Sequence, residues 1–366
     1  MLSVNLLPWA FGLFFGVLLF LRWPVLPEEA QVDEAIRVSV IIPARNEAEN
    51  LPGLLQDLKE QSRPPHEVLC IDDQSTDETG EVARHHGARV FAVKDKPEDW
   101  TGKTYACEYG ACQASGDLLL FLDADLRLGP QAIKKLTAAY QKHHCVISVQ
   151  PYHIVDKAYE QLSLFFNLIL IAANGASLPF STRGIGLFGP VILISSADYH
   201  RLGGYLPAKF SVAEDLVLGE AMKNKAMAFK LFLGAADIKF RMYRSGIADL
   251  ISGWTKNFAT GALKTPAYLF LMIIMWLGAL TSSFCLFIGA LTQGFTWQTG
   301  LYFSLYVLSV INLAIPARKA GSFRIGTLIL YPLTLLGFYL IFLSSLIKRL
   351  LGRKVMWKGR EINLRR

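Results

Sequence analysis

The sequence predicts a doubly wound α/β domain flanked by hydrophobic membrane segments. Three observations carry that expectation. Apolar and β-branched runs alternate with helix-like stretches from Val38 to Val149, which implies a parallel sheet covered by helices on both faces. The run Leu118 to Leu122 is followed at once by Asp123 and Asp125. A buried strand should therefore deliver two carboxylates to the sheet end where ligands bind. The 366-residue chain is 52% hydrophobic, and the excess sits in a few long uncharged runs.

Those runs are Val4 to Leu21, Ala267 to Leu291, Leu301 to Ala317 and Ile325 to Ile347. Stretches of roughly 18 or more apolar residues suit a membrane crossing. The first is expected to be an uncleaved anchor, residues 1–23. It lacks a basic leading segment and a small-residue cleavage site, and Arg22-Trp23-Pro24 follows it. A polar linker then fills 24–36, the α/β domain 37–262, a membrane domain of two or three helices 263–347, and a basic tail 348–366. The tail carries eight Lys and Arg against Glu361, which accounts for the net charge of +7, and the rest of the chain is balanced at 29 against 29. A basic block directly after a hydrophobic span suits anionic lipid headgroups. The folded part has no positive excess, so nucleic acid is not an expected partner. Five cysteines show no metal-type spacing and are expected to be free, buried thiols in a reducing compartment.

Within the domain, strands are expected at Val38–Ile42, Val68–Ile71, Val90–Val93, Leu118–Leu122, Val146–Val149 and Val191–Ser195. Helices are expected at Ala48–Gln61, Asp77–His86, Lys103–Ser115, Pro130–His143, Ala213–Asn224 and Ile247–Ala262. His85-His86 and His143-His144 close two of these helices, where the dipole favours them. Leu162–Ala173 is apolar nearly all round but too short to span, so it should be an interfacial or core helix. Pro179–Gly189, rich in Gly, Ser and Thr, is expected to be a loop that gates the site. The turn cluster Asp72 to Asp77 should open a helix whose N-terminus faces an anion such as a diphosphate.

Polar groups therefore converge at the strand ends: Arg45-Asn46-Glu47, Asp72-Asp73, Lys103 and the pair Asp123/Asp125. Carboxylates suit a base N–H or ribose hydroxyls, Lys103 suits a phosphate, and the Asp pair suits a hard divalent cation on a diphosphate. The competing reading of the pair is a cap for the helix opened at Gly129-Pro130.

Four ordered motifs then mark a resemblance. Val38 to Glu47 resembles the opening of family 2 glycosyltransferases of the GT-A fold. Asp72 to Asp77 resembles their second signature, Asp123-Ala124-Asp125 their Asp-x-Asp motif, and Ala213-Glu214-Asp215 their (Thr/Ala)-Glu-Asp motif. The resemblance implies a mixed sheet and an inverting transfer from a UDP-sugar assisted by Mn²⁺ or Mg²⁺. Pro43, Arg45, Glu47, Asp73, Lys103 and Asp123 would hold the donor, Asp123 and Asp125 the metal, and Asp215 would be the general base. Trp100 to Lys103, Arg241-Met242-Tyr243, Trp254 to Asn257 and Trp357 to Arg360 resemble membrane-anchored lipid glycosyltransferases, especially carotenoid-acid glucosyltransferases of staphyloxanthin-type pathways. That implies a lipid acceptor, met by Glu214, Arg241, Arg244 and Trp254. Arg241 to Arg244 is followed by Ser245, so the Trp of the (Gln/Arg)-x-x-Arg-Trp motif of processive synthases is missing. Trp254 is expected to replace it, in a single transfer rather than chain synthesis.

The resemblance leaves two rivals: a polyprenyl-phosphate sugar transferase, whose acceptor needs no strong base, and a non-catalytic scaffold on the same fold. The expected setting is the plasma membrane, with several crossings and the catalytic domain cytoplasmic. Three crossings after the domain would put the basic tail outside, against the positive-inside rule. One segment is therefore expected not to cross, either Leu301–Ala317 or the Pro332-containing last run.

Overall fold

The computed structural model describes residues 6–28, 32–180, 184–211, 213–351, 354–357 and 360–363. Its chain opens with α1 (Leu7–Leu19) and continues into β1 (Val38–Ala44), α2 (Leu51–Lys59), β2 (Glu67–Asp72), α3 (Thr79–His85), β3 (Arg89–Ala92), α4 (Gly102–Gln113) and β4 (Leu118–Leu122). Next come β5 (Leu126–Leu128), α5 (Ala132–His143), β6 (Val146–Gln150), β7 (Tyr152–His153), α6 (Leu164–Ala173), β8 (Val191–Ser195), α7 (Ser196–Leu202), α8 (Glu214–Asn224), β9 (Phe229–Leu233) and β10 (Ile238–Phe240). The chain ends with α9 (Ile247–Lys264), α10 (Ala267–Leu291), α11 (Trp297–Ala320), α12 (Ile325–Ile329), α13 (Tyr331–Leu350) and the hairpin β11 (Lys354–Trp357)–β12 (Arg360–Asn363). Two compact units emerge. A sheet unit comprises Pro24–Ile154, Gly186–Arg244 and Lys348–Arg366. A helical unit comprises Met1–Trp23, Val155–Ile185 and Ser245–Ile347.

The sheet unit is built on seven strands in the order β3-β2-β1-β4-β8-β6-β9. The run Leu118 to Leu122 is thus the middle strand, and every residue in it is buried. Alternation decides the layers. Val40, Ile42, Leu118, Leu120 and Leu122 face one apolar core, while Ile41, Leu119 and Phe121 face the other. Strands β3, β2, β1 and β4 are parallel, as the alternation of strand and helix requires. Strand β8 runs antiparallel to both β4 and β6, so the sheet is mixed, as the resemblance implies, and the parallel arrangement read from the alternation holds for β3, β2, β1 and β4. A long excursion of the chain, rather than a single crossover helix, leads into β8, so nothing fixes a parallel direction. Strands β9 and β10 lie in a stretch without clear alternation and were not expected. Strand β10 joins β5 and β7 in a second, three-stranded sheet.

The helical unit holds three helices long and apolar enough to cross a membrane: α10, α11 and α13, of 25, 24 and 20 residues. Helix α11 extends the run Leu301–Ala317 at both ends, so length no longer sets it apart from the others. The last run divides at Leu330, because Pro332 lacks an N–H and cannot continue α12, yet fits the first turn of α13. Helix α1 has 13 residues, about 20 Å at 1.5 Å per residue, less than the thickness of a hydrocarbon core. Residues 1–5 of the expected anchor lie outside the described residues. Helix α6, as expected, is too short to cross and is buried nearly all round.

Small residues let α1 sit directly on α10. A Cβ on Gly12 would lie 2.3 Å from the Met275 carbonyl oxygen, and one on Gly16 would lie 2.4 Å from Asn312 Oδ1 and from the Trp276 ring. Beside them Trp276 Nε1 donates to Asn312 Oδ1 (2.9 Å), and Asn312 Nδ2 donates to the Leu13 carbonyl (3.1 Å). Elsewhere in the unit, Gln161 Oε1 accepts from Arg324 N and Thr327 Oγ1, and Val155 N donates to Ser322 Oγ. Among the cysteines Cys70, Cys107 and Cys145 are buried free thiols, but Cys112 and Cys285 are exposed, a correction to the expectation of burial for all five. Gly12→Leu should lower stability by about 1–3 kcal/mol, the usual cost of overpacking. Thermal unfolding in detergent measures this, and an unchanged midpoint would refute the α1–α10 packing.

Candidate active site

The first two motifs tie each other down. Asn46 and Gln74 both take the left-handed backbone conformation, with φ of 53° and 56°. Asn46 tolerates this because its side-chain oxygen accepts from Thr76 N (2.8 Å). Arg45 Nη1 donates to the carbonyls of Asp73 (2.7 Å) and Gln74 (3.1 Å), and Glu47 N donates to Thr79 Oγ1 (2.8 Å). The two loops after β1 and β2 therefore form one frame carrying Pro43, Glu47 and the buried carboxylate of Asp73. Arg45 braces that frame. The N–H of Thr79, in the first turn of α3, is taken by Asp77, so this helix start ties loops together instead of offering that donor to an anion.

Asp123-Ala124-Asp125 is the turn between β4 and β5. Asp123 N is held by the Pro190 carbonyl (3.0 Å), and β5 is clamped to α2 by buried Asp57. That carboxylate accepts from Arg127 Nε (2.6 Å), Arg127 Nη2 (2.8 Å) and Leu128 N (2.8 Å). Lys103, in the first turn of α4, reaches over this turn. Its Nζ lies 2.7 Å from Asp123 Oδ1 and 2.9 Å from Glu214 Oε1. Burial works against the ammonium, yet the two carboxylates outweigh it and hold its pKa well above the ordinary lysine value. Burial raises the Asp123 carboxyl, and Lys103 only partly offsets this.

Asp215 stands beside Glu214 in the first turn of α8. Its Oδ1 accepts from Leu216 N (2.9 Å). Burial, and then the neighbouring charge of Glu214, push its pKa up to about 7, against the pull of Lys103. The wall against it is a glycine stretch. A Cβ on Gly189 would lie 3.3 Å from Asp215 Oδ2, and one on Gly186 would lie 2.7 Å from the Leu216 Cα. Leu187 N donates to the Asp215 carbonyl (3.2 Å). Buried Ser148 on β6 accepts from Phe188 N (2.7 Å) and donates to its carbonyl (2.9 Å). This corrects part of the expected gating loop: Gly184 to Phe188 are buried. Residues 181–183 of that loop lie outside the described residues. Neither Ser148 nor this wall was singled out from the sequence, although three glycines within six residues at 184–189 were a visible signal.

The pattern described as "Glycosyl transferase family 2" matches residues 39–188. A 4,4'-diaponeurosporenoate glycosyltransferase of Staphylococcus haemolyticus (strain JCSC1435) is 36% identical over 348 residues, covering 90% of this chain and 89% of its own length. The chain belongs to glycosyltransferase family 2. The namesake enzyme of Staphylococcus aureus (strain USA300) is 33% identical over 361 residues, covering 95% of this chain and 94% of that one. Among solved structures, a mannosyltransferase from Pyrobaculum calidifontis in complex with GDP-Man and Mn²⁺ shares the fold. Its TM-score is 0.55 at 17% identity, over 94% of this chain and 96% of that one.

The remaining expected residues of this glycosyltransferase divide. Strand β10 brings Arg241 beside the Asp-x-Asp turn, its N 3.5 Å from the Asp125 carbonyl. Arg244 lies just beyond, after Tyr243, whose positive φ of 60° is unusual for a bulky residue. Trp254 belongs to the helical unit and is buried. Its ring stacks on Phe166 with centroids 4.7 Å apart, and its Nε1 donates to Ser163 Oγ. The expected acceptor platform is therefore corrected to a packing residue. No group of three or more metal-binding side chains occurs among the described residues. Asp123 and Asp125 supply hard oxygen ligands, which suits a cation that takes its remaining ligands from a diphosphate and water. Asp125→Ala should abolish Mn²⁺-dependent UDP binding in calorimetry while circular dichroism stays unchanged. Undiminished binding would remove the metal role.

Proposed function

We propose that this glycosyltransferase moves a sugar, with inversion, from a UDP-sugar to a carotenoid acid at the cytoplasmic face of the plasma membrane. The supporting observation is that Lys103 joins the end of β4 to the start of α8, so the donor-side turn and the candidate base share one charged cluster. The acceptor class follows the names of the staphylococcal relatives. The cation follows the Asp pair and the Mn²⁺ of the Pyrobaculum relative. That relative carries GDP-Man, so uridine in this chain rests on the motif resemblance of Pro43, Glu47 and Asp73.

The residues then divide the work. Pro43, Glu47 and Asp73 line the nucleoside site on the frame that Arg45 braces. Asp123 and Asp125 would hold a divalent cation, which when bound would neutralise charge on the leaving diphosphate. Asp215 takes the acceptor's proton. An acid delivered from a bilayer can keep its proton, because desolvation raises a carboxyl pKa. Arg241 and Arg244 meet the acceptor headgroup. Helices α10, α11 and α13 carry the lipid side, and the basic tail meets anionic headgroups. The tail belongs to the sheet unit, which supports a shared cytoplasmic side. An impermeant thiol reagent acting from outside on a cysteine placed in the tail would contradict that topology.

A second reading follows from the raised pKa of Asp215. If the acceptor arrives already ionised, a protonated Asp215 would donate a hydrogen bond to it instead. The two readings have opposite signs with pH. A base works only when ionised, so transfer should climb about tenfold per pH unit below 7 and level off above. A donor works only when protonated, so transfer should fall above 7. The expected result is the climb, measured as UDP release at saturating UDP-sugar in liposomes bearing 4,4'-diaponeurosporenoate. Asp215→Asn should keep UDP affinity and lose transfer by roughly 10²-fold or more. Activity within a few-fold of the parent would remove Asp215 as the base.

A further inference from the structure

Lys103 was expected to meet a phosphate. Its ammonium bridges Asp123 Oδ1 at 2.7 Å and Glu214 Oε1 at 2.9 Å. These carboxylates come from elements far apart in the chain, the turn after β4 and the first turn of α8. Lys103 itself stands in the first turn of α4, whose start is fixed independently. Thr101 caps the helix, and Thr101 N and Thr104 Oγ1 both donate to the Lys209 carbonyl (2.8 and 3.2 Å). The four-carbon stem of Lys103 is thus anchored at its base and held at its tip.

From this geometry we infer that Lys103 is a positioning residue that ties the donor side of the site to the acceptor side and sets the placement of Asp215 through Glu214. The coupling is mechanical as well as electrostatic. Glu214 is buried, and a buried carboxylate that loses its cation must move or become neutral. Asp215 is the next residue on the same helical turn, so any shift of Glu214 is passed to it. Gly189 approaches it closely enough that a Cβ there would lie 3.3 Å from Asp215 Oδ2. The inference rests on the reading of Asp215 as the base, and it assigns Lys103 a role beyond a phosphate contact.

A double-mutant cycle tests it, with wild type, Lys103→Met, Glu214→Gln and the double variant reconstituted in liposomes bearing 4,4'-diaponeurosporenoate. Calorimetry with UDP and Mn²⁺ reads the donor side, and UDP release at saturating UDP-glucose reads kcat. Lys103→Met should lower kcat by roughly 10- to 100-fold, the worth of a hydrogen bond to a charged group, a larger loss than that in UDP affinity. Lys103→Arg should recover part of kcat. The double variant should be no slower than the slower single variant, because both changes break one link. Weaker UDP binding with unchanged kcat would overturn the inference in favour of a phosphate contact alone. Costs that multiply in the double variant would overturn it too. A wild type without turnover would defeat the functional reading rather than this inference. The cycle is then read in thermal unfolding midpoints of the same proteins, where zero coupling between the two positions overturns it.

Discussion

The site depends on one cation among carboxylates. Asp123 and Glu214 would repel each other and pay a heavy desolvation cost if both stayed ionised without a partner. The Lys103 ammonium between them makes the arrangement tolerable. Most of the sheet unit can be described by how it supports that contact. Strand β4 is buried on both faces and carries Asp123 to the sheet end. The Asp57–Arg127 pair fixes the strand that follows. The Ser148–Phe188 bonds and the glycine wall fix the start of α8. Each support is a hydrogen bond or close packing within the fold, so the cluster is placed without any substrate.

Much of this was legible in the sequence because it follows from period and from local chemistry. Five apolar residues ending in a carboxylate pair can hardly be anything but a buried strand with a polar exit. Turn-forming residues directly after β2 announced the second loop. What could not be read was direction and pairing. Strand β8 looks like any other apolar run, and its antiparallel sense depends on a connection of some forty residues before it. The pairing of Lys103 with Glu214 spans more than a hundred residues and leaves no periodic trace. Trp254 shows the converse failure. An aromatic near a membrane was read as a substrate platform, but its neighbours in space, Phe166 and Ser163, make it part of a packed helix interface.

The helical unit holds three helices long and apolar enough to cross a membrane. Water exclusion does not drive helices together in lipid, so close contact must come from small residues and polar bonds. Gly12 and Gly16 against α10, and the Trp276–Asn312–Leu13 chain of hydrogen bonds, supply both. The bonds from Gln161 and Val155 to the segment between α11 and α12 extend the same logic to the ends of the helices.

The proposed inverting transfer, with Asp215 as base, requires the acceptor to attack the face of the sugar opposite the leaving diphosphate. The anomeric configuration of the product made from an α-linked UDP-sugar tests this most directly, read by proton NMR on the glycolipid extracted from reconstituted liposomes. A β-linked product is predicted. An α-linked product would contradict the account, because it would require the acceptor to attack from the same face that the diphosphate leaves.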